Sequence, residues 1–121
     1  MKILVADDEK HILRIIQFNL EKEGFTVFTA GDGELAMQIV EREKPDIVIL
    51  DIMMPRKTGF EICGEIREKF GSDIKIILLS AKGQKTDLAR GEDCGADIYM
   101  TKPFSPRILL QTIKNLDEGK Q

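Results

Sequence analysis

Cysteine, histidine and tyrosine are scarce in this chain, and long hydrophobic runs are missing. The two cysteines, Cys63 and Cys94, are too few and too far apart for a disulfide framework or a metal cluster, so we expect small core or helix residues. The longest apolar runs have the length of a strand, which excludes a membrane-spanning helix. The formal charge of −3 gives no electrostatic reason to expect direct binding to nucleic acid.

A signal-peptide apolar region is also missing, because the short run Met1–Ala6 leads straight into Asp7 and Asp8. A cytoplasmic protein without membrane contact is therefore expected. The 121 residues fit one domain, predicted to span 1–121. The hydrophobic fraction of 42% is enough for one packed core.

Short apolar segments alternate with segments of helical spacing along the whole chain. The runs 47–50 and 76–79 are continuously apolar, which is typical of central parallel strands covered by helices on both faces. Five strands are predicted in all: Lys2–Ala6, Thr26–Thr29, Asp46–Leu50, Lys75–Leu79 and Asp97–Met100.

Five helices are predicted between and after these strands. Local signals mark their ends: a glycine after the first, an acid or glycine before the second, a capping box for the third and a serine–proline pair for the last. The fourth helix, predicted over Thr86–Asp93, has few apolar positions and the weakest pattern. The residues that give these signals are Gly24, Asp32 or Gly33, Thr58 with Glu61, and Ser105 with Pro106.

Five strand–helix units in succession predict an α/β fold with a parallel sheet and right-handed crossovers. No glycine-rich dinucleotide loop follows the first strand, so we predict the flavodoxin-like order 2-1-3-4-5, doubly wound with five helices. In such sheets the functional site lies beyond the carboxyl ends of the strands, at the switch point between strands 1 and 3, where the strand order reverses.

Polar residues stand at the ends of four of the five predicted strands. Asp7 and Asp8 follow the first strand, Asp51 the third and Ser80 the fourth, and Lys102 comes shortly after the fifth. Alone, each could be a cap, a turn former or a solvated surface residue. Caps do not require two adjacent acids on one central strand and a third on its neighbour. Together, these residues favour a functional site.

The chemistry of this set is coherent. Three crowded carboxylates repel one another, which raises the pKa of one of them or favours a bound cation. Oxygen ligands of this kind suit Mg²⁺, with Mn²⁺ as a substitute. Asp51 could then attack phosphorus in line, while Lys102 supplies a positive charge and Ser80 a hydroxyl donor to the phosphoryl oxygens. The product would be an acyl phosphate on Asp51.

Four short stretches carry a family resemblance. They are Val5-Ala6-Asp7-Asp8-Glu9, Asp51-Ile52-Met53-Met54-Pro55 followed by Thr58-Gly59, Leu79-Ser80-Ala81, and Lys102-Pro103-Phe104. In these stretches the sequence resembles the receiver domains of two-component response regulators. The order and spacing of the stretches match that family over essentially the whole chain. A stand-alone, chemotaxis-regulator-like receiver is the expected type.

The resemblance implies a signalling protein that catalyses only its own phosphorylation and dephosphorylation. A sensor histidine kinase or phosphotransfer protein would donate the phosphoryl group to Asp51, and the altered surface would engage an output protein. By the same resemblance, Asp8 and Asp51 bind Mg²⁺ directly, and Asp7 binds it mainly through water. The backbone carbonyl of Met53 completes the protein ligands.

Further roles are implied at Ser80, Lys102 and Tyr99. Ser80 and Lys102 would contact the phosphoryl group, Ser80 moving toward it while Tyr99, the single tyrosine, turns inward; the alternative for Tyr99 is packing on an edge strand. The family also suggests a cis peptide before Pro103. The chain departs from the family at Thr58, where an Asp is common before the glycine, and this departure affects only loop detail.

The first helix is more apolar than a surface helix requires. Its apolar residues span roughly 220° of the circumference, whereas a core-facing stripe needs a little over ~100°. We predict that Ile15 and Phe18, with Phe104 and Pro106, dock the helical bundle of a histidine kinase. The alternative is that a neighbouring helix or loop covers them. His11, the single histidine, is expected to be a surface or docking-rim residue.

Rival functions fit the sequence less well. A Mg²⁺-dependent phosphohydrolase of the dehalogenase type needs a second acid two residues after its nucleophile, where this chain has Met53. A flavodoxin-like nucleotide-binding module needs hydrogen-bond donors in a first loop that is acidic here.

The context of the domain is a separate question, because the receiver half of a DNA-binding regulator would fit the sequence as well as a stand-alone receiver. The sequence leaves open the kinase, the output protein, and whether the chain is a monomer or a phosphorylation-dependent dimer.

Overall fold

The computed structural model of the chain describes residues 1–80, 94–102 and 105–117. These residues form a parallel five-stranded sheet in the order β2-β1-β3-β4-β5, as predicted. The strands are β1 (Lys2–Ala6), β2 (Thr26–Ala30), β3 (Ile47–Asp51), β4 (Lys75–Ser80) and β5 (Ile98–Thr101). The described helices are α1 (Lys10–Lys22), α2 (Gly33–Glu43), α3 (Gly59–Phe70) and α4 (Pro106–Asp117).

Three predictions fall outside the described residues: the helix over Thr86–Asp93, the cis peptide before Pro103, and the contribution of Phe104 to docking. Four of the five predicted helices therefore have a counterpart in the described part of the chain. No helix there is long and apolar enough to cross a membrane.

Helices cover both faces of the sheet, which is why the central strands are continuously apolar. Alternate residues of each strand point to opposite faces, so Val48 and Leu50 pack with α2 and α3 while Ile47 and Ile49 pack with α1 and α4. β3 is buried along its whole length. The carboxyl end of β3 is thereby held at the centre of the molecule.

The strands β3 and β4 end one residue later than the sequence predicted. Asp51 pairs with Leu79, and Ser80 pairs with Thr101, so the parallel ladder continues through both polar residues. β2 likewise runs on to Ala30, paired with Ala6, and β5 is shifted by one residue. The candidate acceptor and the candidate hydroxyl are thus the last residues of their strands, fixed there by ladder pairing.

The predicted helix signals are found where the sequence placed them. The Asp32 side chain caps α2 by accepting from the amide of Leu35. Thr58 and Glu61 form a capping box at the start of α3, at 3.2 and 2.9 Å. In α4, the amide of Arg107 donates to the Ser105 hydroxyl at 3.2 Å. Gly24, with φ +95°, follows the end of α1.

Arg67, near the end of α3, ties four chain segments together. Its guanidinium donates to the carbonyls of Gly95, Gly71 and Ile74 at 2.8, 2.8 and 2.6 Å. It also pairs with Asp97 at 2.6 Å, and the same Asp97 oxygen accepts the amide of β4 residue Ile76 at 2.8 Å. These bonds fix the entry of β5 against α3 and β4, and β5 leads to Lys102.

Candidate functional site

The four strand ends predicted to carry chemistry meet at one edge of the sheet. Asp7 is held there by its amide, which donates to the carbonyl of Ala30 at 3.0 Å. Lys102 is held by its own amide, which donates to the carbonyl of Ser80 at 2.7 Å. The backbone therefore sets the positions of both charged residues, and their side chains need only reach inward.

Three carboxylates converge at this edge. One oxygen each of Asp7, Asp8 and Asp51 lies within 4.8 Å of the others. Asp7 is fully buried and Asp51 is 5% exposed, whereas Asp8 is exposed. Anionic oxygens gathered on a partly open cluster are the ligands that Mg²⁺ prefers, since this ion keeps several waters. These donor atoms therefore fit a divalent cation.

Lys102 places its ammonium group among the acids. Its Nζ lies 2.9 Å from Asp7 Oδ2, 3.2 Å from Asp51 Oδ2 and 3.2 Å from Glu9 Oε1. Burial opposes the charge on Lys102, but the hydrogen bond that it donates to Asp7 and the charges of Asp51 and Asp7 outweigh it and raise its pKa above the ordinary value. Lys102 is therefore a fixed positive charge in the site.

The carboxyl of Asp51 has a raised pKa of about 6. Burial is the main cause, the nearby charge of Asp7 adds to it, and the ammonium of Lys102 opposes both. The amide of Met53 donates to Asp51 Oδ1 at 3.2 Å and so stabilises the ionised form. The environment thus disfavours an isolated negative charge on Asp51, and a cation bound beside it would stabilise the ionised carboxylate.

Asp51 opens onto a cavity of about 270 Å³. Such a volume admits a small anion together with water, but it is below the usual range for drug-sized ligands. Met53, 61% exposed, stands at the rim, where its backbone is close to Asp51 through the amide contact. The residues that line the cavity are Asp8, Glu9, Asp51, Met53 and Lys102.

The two predicted switch residues, Ser80 and Tyr99, lie on the neighbouring strands β4 and β5. Ser80 is 2% exposed at the end of β4. Tyr99, two residue pairs earlier in the β4–β5 ladder, is half-buried against the α2–α3 side of the core. The Tyr99 hydroxyl is buried, and no hydrogen-bond partner for it exists among the described residues.

The predicted docking residues on α1 point away from the core. Ile16 and Leu20 are buried against the sheet, whereas Ile15 is 48% and Phe18 is 66% exposed. Pro106 at the start of α4 is also exposed. α1 thus carries an apolar outer face at these two side chains, which no element in the described part of the chain covers.

Glu9 is the site residue to which sequence reasoning assigned no role. It follows Asp7 and Asp8 directly, so a run of three acids was the available signal. Its contact with Lys102 joins residues 93 positions apart, and only the fold brings them together. His11 is exposed nearby, 4.0 Å from the other carboxylate oxygen of Glu9.

A parallel sheet of this order, with acids, a lysine and a serine at the carboxyl ends of its strands, defines a class of signalling domain. Residues 3–114 match the response regulator receiver domain family. The chain therefore belongs to this family of two-component system receiver domains. The resemblance predicted from the four sequence stretches is confirmed.

Solved structures of the same family are similar over nearly the whole chain. A CheY-like receiver domain protein from Methanospirillum hungatei is 30% identical with a TM-score of 0.90, over 97% of this chain and 94% of that one. The chemotaxis regulator CheY4 of Vibrio cholerae is 30% identical with a TM-score of 0.87, over 94% and 96%. DrrB of Thermotoga maritima, an OmpR/PhoB homolog, is 37% identical with a TM-score of 0.88, over 99% of this chain but 54% of DrrB.

Proposed function

We propose that the domain accepts a phosphoryl group on Asp51 and passes the signal to an output protein by changing its surface. The observation that carries the proposal is the buried carboxylate of Asp51 at the opening of the cavity, in ion-pair contact with Lys102 and clustered with Asp7 and Asp8. A nucleophile, a fixed positive charge and a cation site thus share one small space.

Phosphoryl transfer needs little covalent chemistry from the protein beyond the nucleophile. An oxygen of Asp51 forms the new bond to phosphorus as the bond to the donor nitrogen breaks, and the donor histidine leaves with the bonding electron pair and then holds a proton. Lys102 donates to a phosphoryl oxygen and offsets the charge that is transferred. The product is an acyl phosphate on Asp51.

The cation site supports this step. Asp8 and Asp51 would hold Mg²⁺ or Mn²⁺ directly, Asp7 would hold it mainly through water, and the carbonyl of Met53 would complete the protein ligands. When bound, the ion neutralises negative charge on the phosphoryl oxygens. The buried Asp7 carboxylate also holds Lys102 at 2.9 Å, so one acid orients both positive charges.

The surface change is proposed to start at Ser80. Its hydroxyl would move toward the phosphoryl group, and Tyr99 would turn into the vacated space. The place of Tyr99 supports this, because its side chain packs against the core beside β4 and its hydroxyl has no hydrogen-bond partner among the described residues. The output protein would bind the altered surface around β5 and α4.

The acceptor function is tested by intact-protein mass after incubation with acetyl phosphate and Mg²⁺. The expected result is one hydroxylamine-labile phosphoryl adduct on the wild type, lost when EDTA replaces Mg²⁺ and absent from Asp51→Asn. If acetyl phosphate and a phosphohistidine donor both fail while Mg²⁺ binds, the acceptor function is wrong and the domain works without phosphate.

The phosphoryl donor is proposed to be a sensor histidine kinase or phosphotransfer protein that docks on α1. Ile15, Phe18 and Pro106 supply the described part of the surface, and Phe104 is a predicted member outside the described residues. Ile15→Asp should slow transfer from the cognate kinase but leave transfer from acetyl phosphate unchanged. Leu35→Asp, a matched exposed leucine on α2 across the sheet, is the control. Equal kinase rates for both variants would refute docking at α1.

The setting of the domain is also part of the proposal. A single domain in the cytoplasm, as monomer or phosphorylation-dependent dimer, suits a receiver that meets a kinase directly. The match to 54% of DrrB shows that a receiver of this type can also form half of a longer chain. Size-exclusion chromatography with light scattering, on the native protein with and without phosphorylation, would separate monomer from dimer.

A further inference from the structure

Glu9 occupies one of the three donors of the Lys102 ammonium. A lysine side chain has three N–H donors and no acceptor. In this structure three carboxylate oxygens lie within hydrogen-bond distance, from Asp7 at 2.9 Å, Glu9 at 3.2 Å and Asp51 at 3.2 Å. The donors are therefore all engaged before any phosphoryl oxygen arrives, and one of these contacts must open for Lys102 to bind it.

The three acids differ in what they can do when a phosphoryl group arrives. Asp51 becomes the phosphorylated residue, and buried Asp7 belongs to the group of acids that could hold a cation. Glu9 lies outside that cluster; it is exposed and lines the cavity. Its carboxylate thus lies beside the space that the anion would enter, in contact with Lys102.

We propose that Glu9 is a positioning residue that competes with the phosphoryl group for Lys102 and so restrains phosphorylation of Asp51. This inference rests on the proposed acceptor function and adds a residue that tunes it. Glu9 holds the ammonium at the mouth of the cavity in the resting state, and its release accompanies phosphoryl binding. Removing its charge should make Lys102 available sooner and lessen repulsion of the incoming anion.

The test compares Glu9→Gln with Glu68→Gln, which removes the same charge from an exposed position on α3 away from the cavity. With acetyl phosphate at a fixed Mg²⁺ concentration, Glu9→Gln should accept phosphate about two- to fivefold faster than wild type, the range expected for loss of one partly exposed ion pair. Glu68→Gln should match the wild type. Glu9→Asp, which keeps the charge on a shorter side chain, should fall between.

A second readout needs neither metal nor phosphate. Nitrogen-15 NMR of the Lys102 ammonium in metal-free protein should show faster hydrogen exchange in Glu9→Gln than in Glu68→Gln. Equal phosphorylation rates, equal exchange, or weaker Mg²⁺ binding by Glu9→Gln would each overturn the proposal, the last by assigning Glu9 to the cation shell. If the wild type itself accepts no phosphate, the acceptor function fails and this inference fails with it. If the wild type accepts phosphate but Glu9→Gln and Glu68→Gln accept it at the same rate, the inference about Glu9 fails and the acceptor function stands.

Discussion

Gly59 lies so close to Asp51 that a Cβ on it would come within 2.7 Å of the Asp51 carbonyl oxygen and 2.9 Å of the Cα of Ile52. The amide of Gly59 also donates to the carbonyl of Ile52 at 2.9 Å. The first turn of α3 is therefore packed directly onto the backbone that presents the acceptor carboxylate. Any side chain at this position must displace that backbone.

Gly59→Ala should therefore lower the free energy of unfolding and slow phosphorylation of Asp51. The contact is with backbone atoms, which cannot rotate away, so the loss should be about 1–3 kcal/mol, as for overpacked sites. Urea denaturation and acetyl phosphate labelling measure the two effects.

Gly64 supplies the control on the same helix. A Cβ there meets nothing within 4 Å, so Gly64→Ala should stabilise the domain by about 0.5–1 kcal/mol through helix propensity alone. If both variants were stabilised and both labelled normally, close packing of α3 on the acceptor backbone would be disproved.

The raised pKa of Asp51 predicts a pH-dependent stability. The folded protein keeps this proton at pH values where the unfolded chain, with the ordinary pKa of 3.8, has lost it. The free energy of unfolding should therefore fall as pH rises from 3.8 to about 6, and the loss should persist above that range. Asp51→Asn cannot ionise and escapes this loss.

In metal-free buffer near neutral pH, Asp51→Asn should be more stable than wild type by about 2–3 kcal/mol, following 1.36 kcal/mol per pKa unit. The difference should vanish below about pH 4, where both side chains are neutral. Chemical denaturation at several pH values measures it. A variant less stable than wild type at neutral pH would mean that Lys102 stabilises the charge more than burial disfavours it.

Replacement of Arg67 should unfold the domain more readily than replacement of a neighbouring surface lysine. The Arg67 side chain is 20% exposed and donates to three carbonyls and to Asp97. Arg67→Met removes all four contacts and should cost about 1–3 kcal/mol, the range for loss of hydrogen-bond partners. Lys69→Met breaks an exposed pair with Glu41 of the same 2.6 Å length and should cost far less. Similar losses in the free energy of unfolding for Arg67→Met and Lys69→Met would show that burial does not make the Arg67 contacts stronger than the exposed pair.

The departure at Thr58 predicts a helix-capping effect with no effect on chemistry. Thr58→Ala removes the bond to the Glu61 amide and should cost about 1 kcal/mol. Thr58→Asp restores a capping oxygen and should recover most of it. Phosphorylation rates of both should equal that of the wild type, and a rate change in Thr58→Asp would show that this residue contributes to the site.

Much of the fold could be predicted from local patterns. Continuous apolar runs such as Ile47–Leu50 identified buried parallel strands, because both of their faces contact helices. The caps at Asp32 and Thr58 are short-range hydrogen bonds that neighbouring residues specify. The strand ends at Asp51 and Ser80 were misplaced by one position, because ladder pairing with another strand, and not local polarity, decides where a strand ends.

The residues of the site could be predicted, but several of their relationships could not. The convergence of Asp7, Asp51 and Lys102 follows from strand order, which the sequence supplied. The third contact of Lys102, with Glu9, depends on side-chain reach across two loops and is visible only in three dimensions. Likewise, nothing local to Arg67 indicates that its guanidinium bridges α3 to the entry of β5.

The central claim is that Asp51, among three clustered aspartates, takes the phosphoryl group. After labelling with acetyl phosphate and Mg²⁺, borohydride reduction converts an acyl phosphate of aspartate to homoserine, and peptide mass spectrometry then locates that residue. We predict homoserine at position 51 and unmodified aspartate at positions 7 and 8. Homoserine at position 7 or 8, with position 51 unmodified in protein that carries phosphate, would contradict the account.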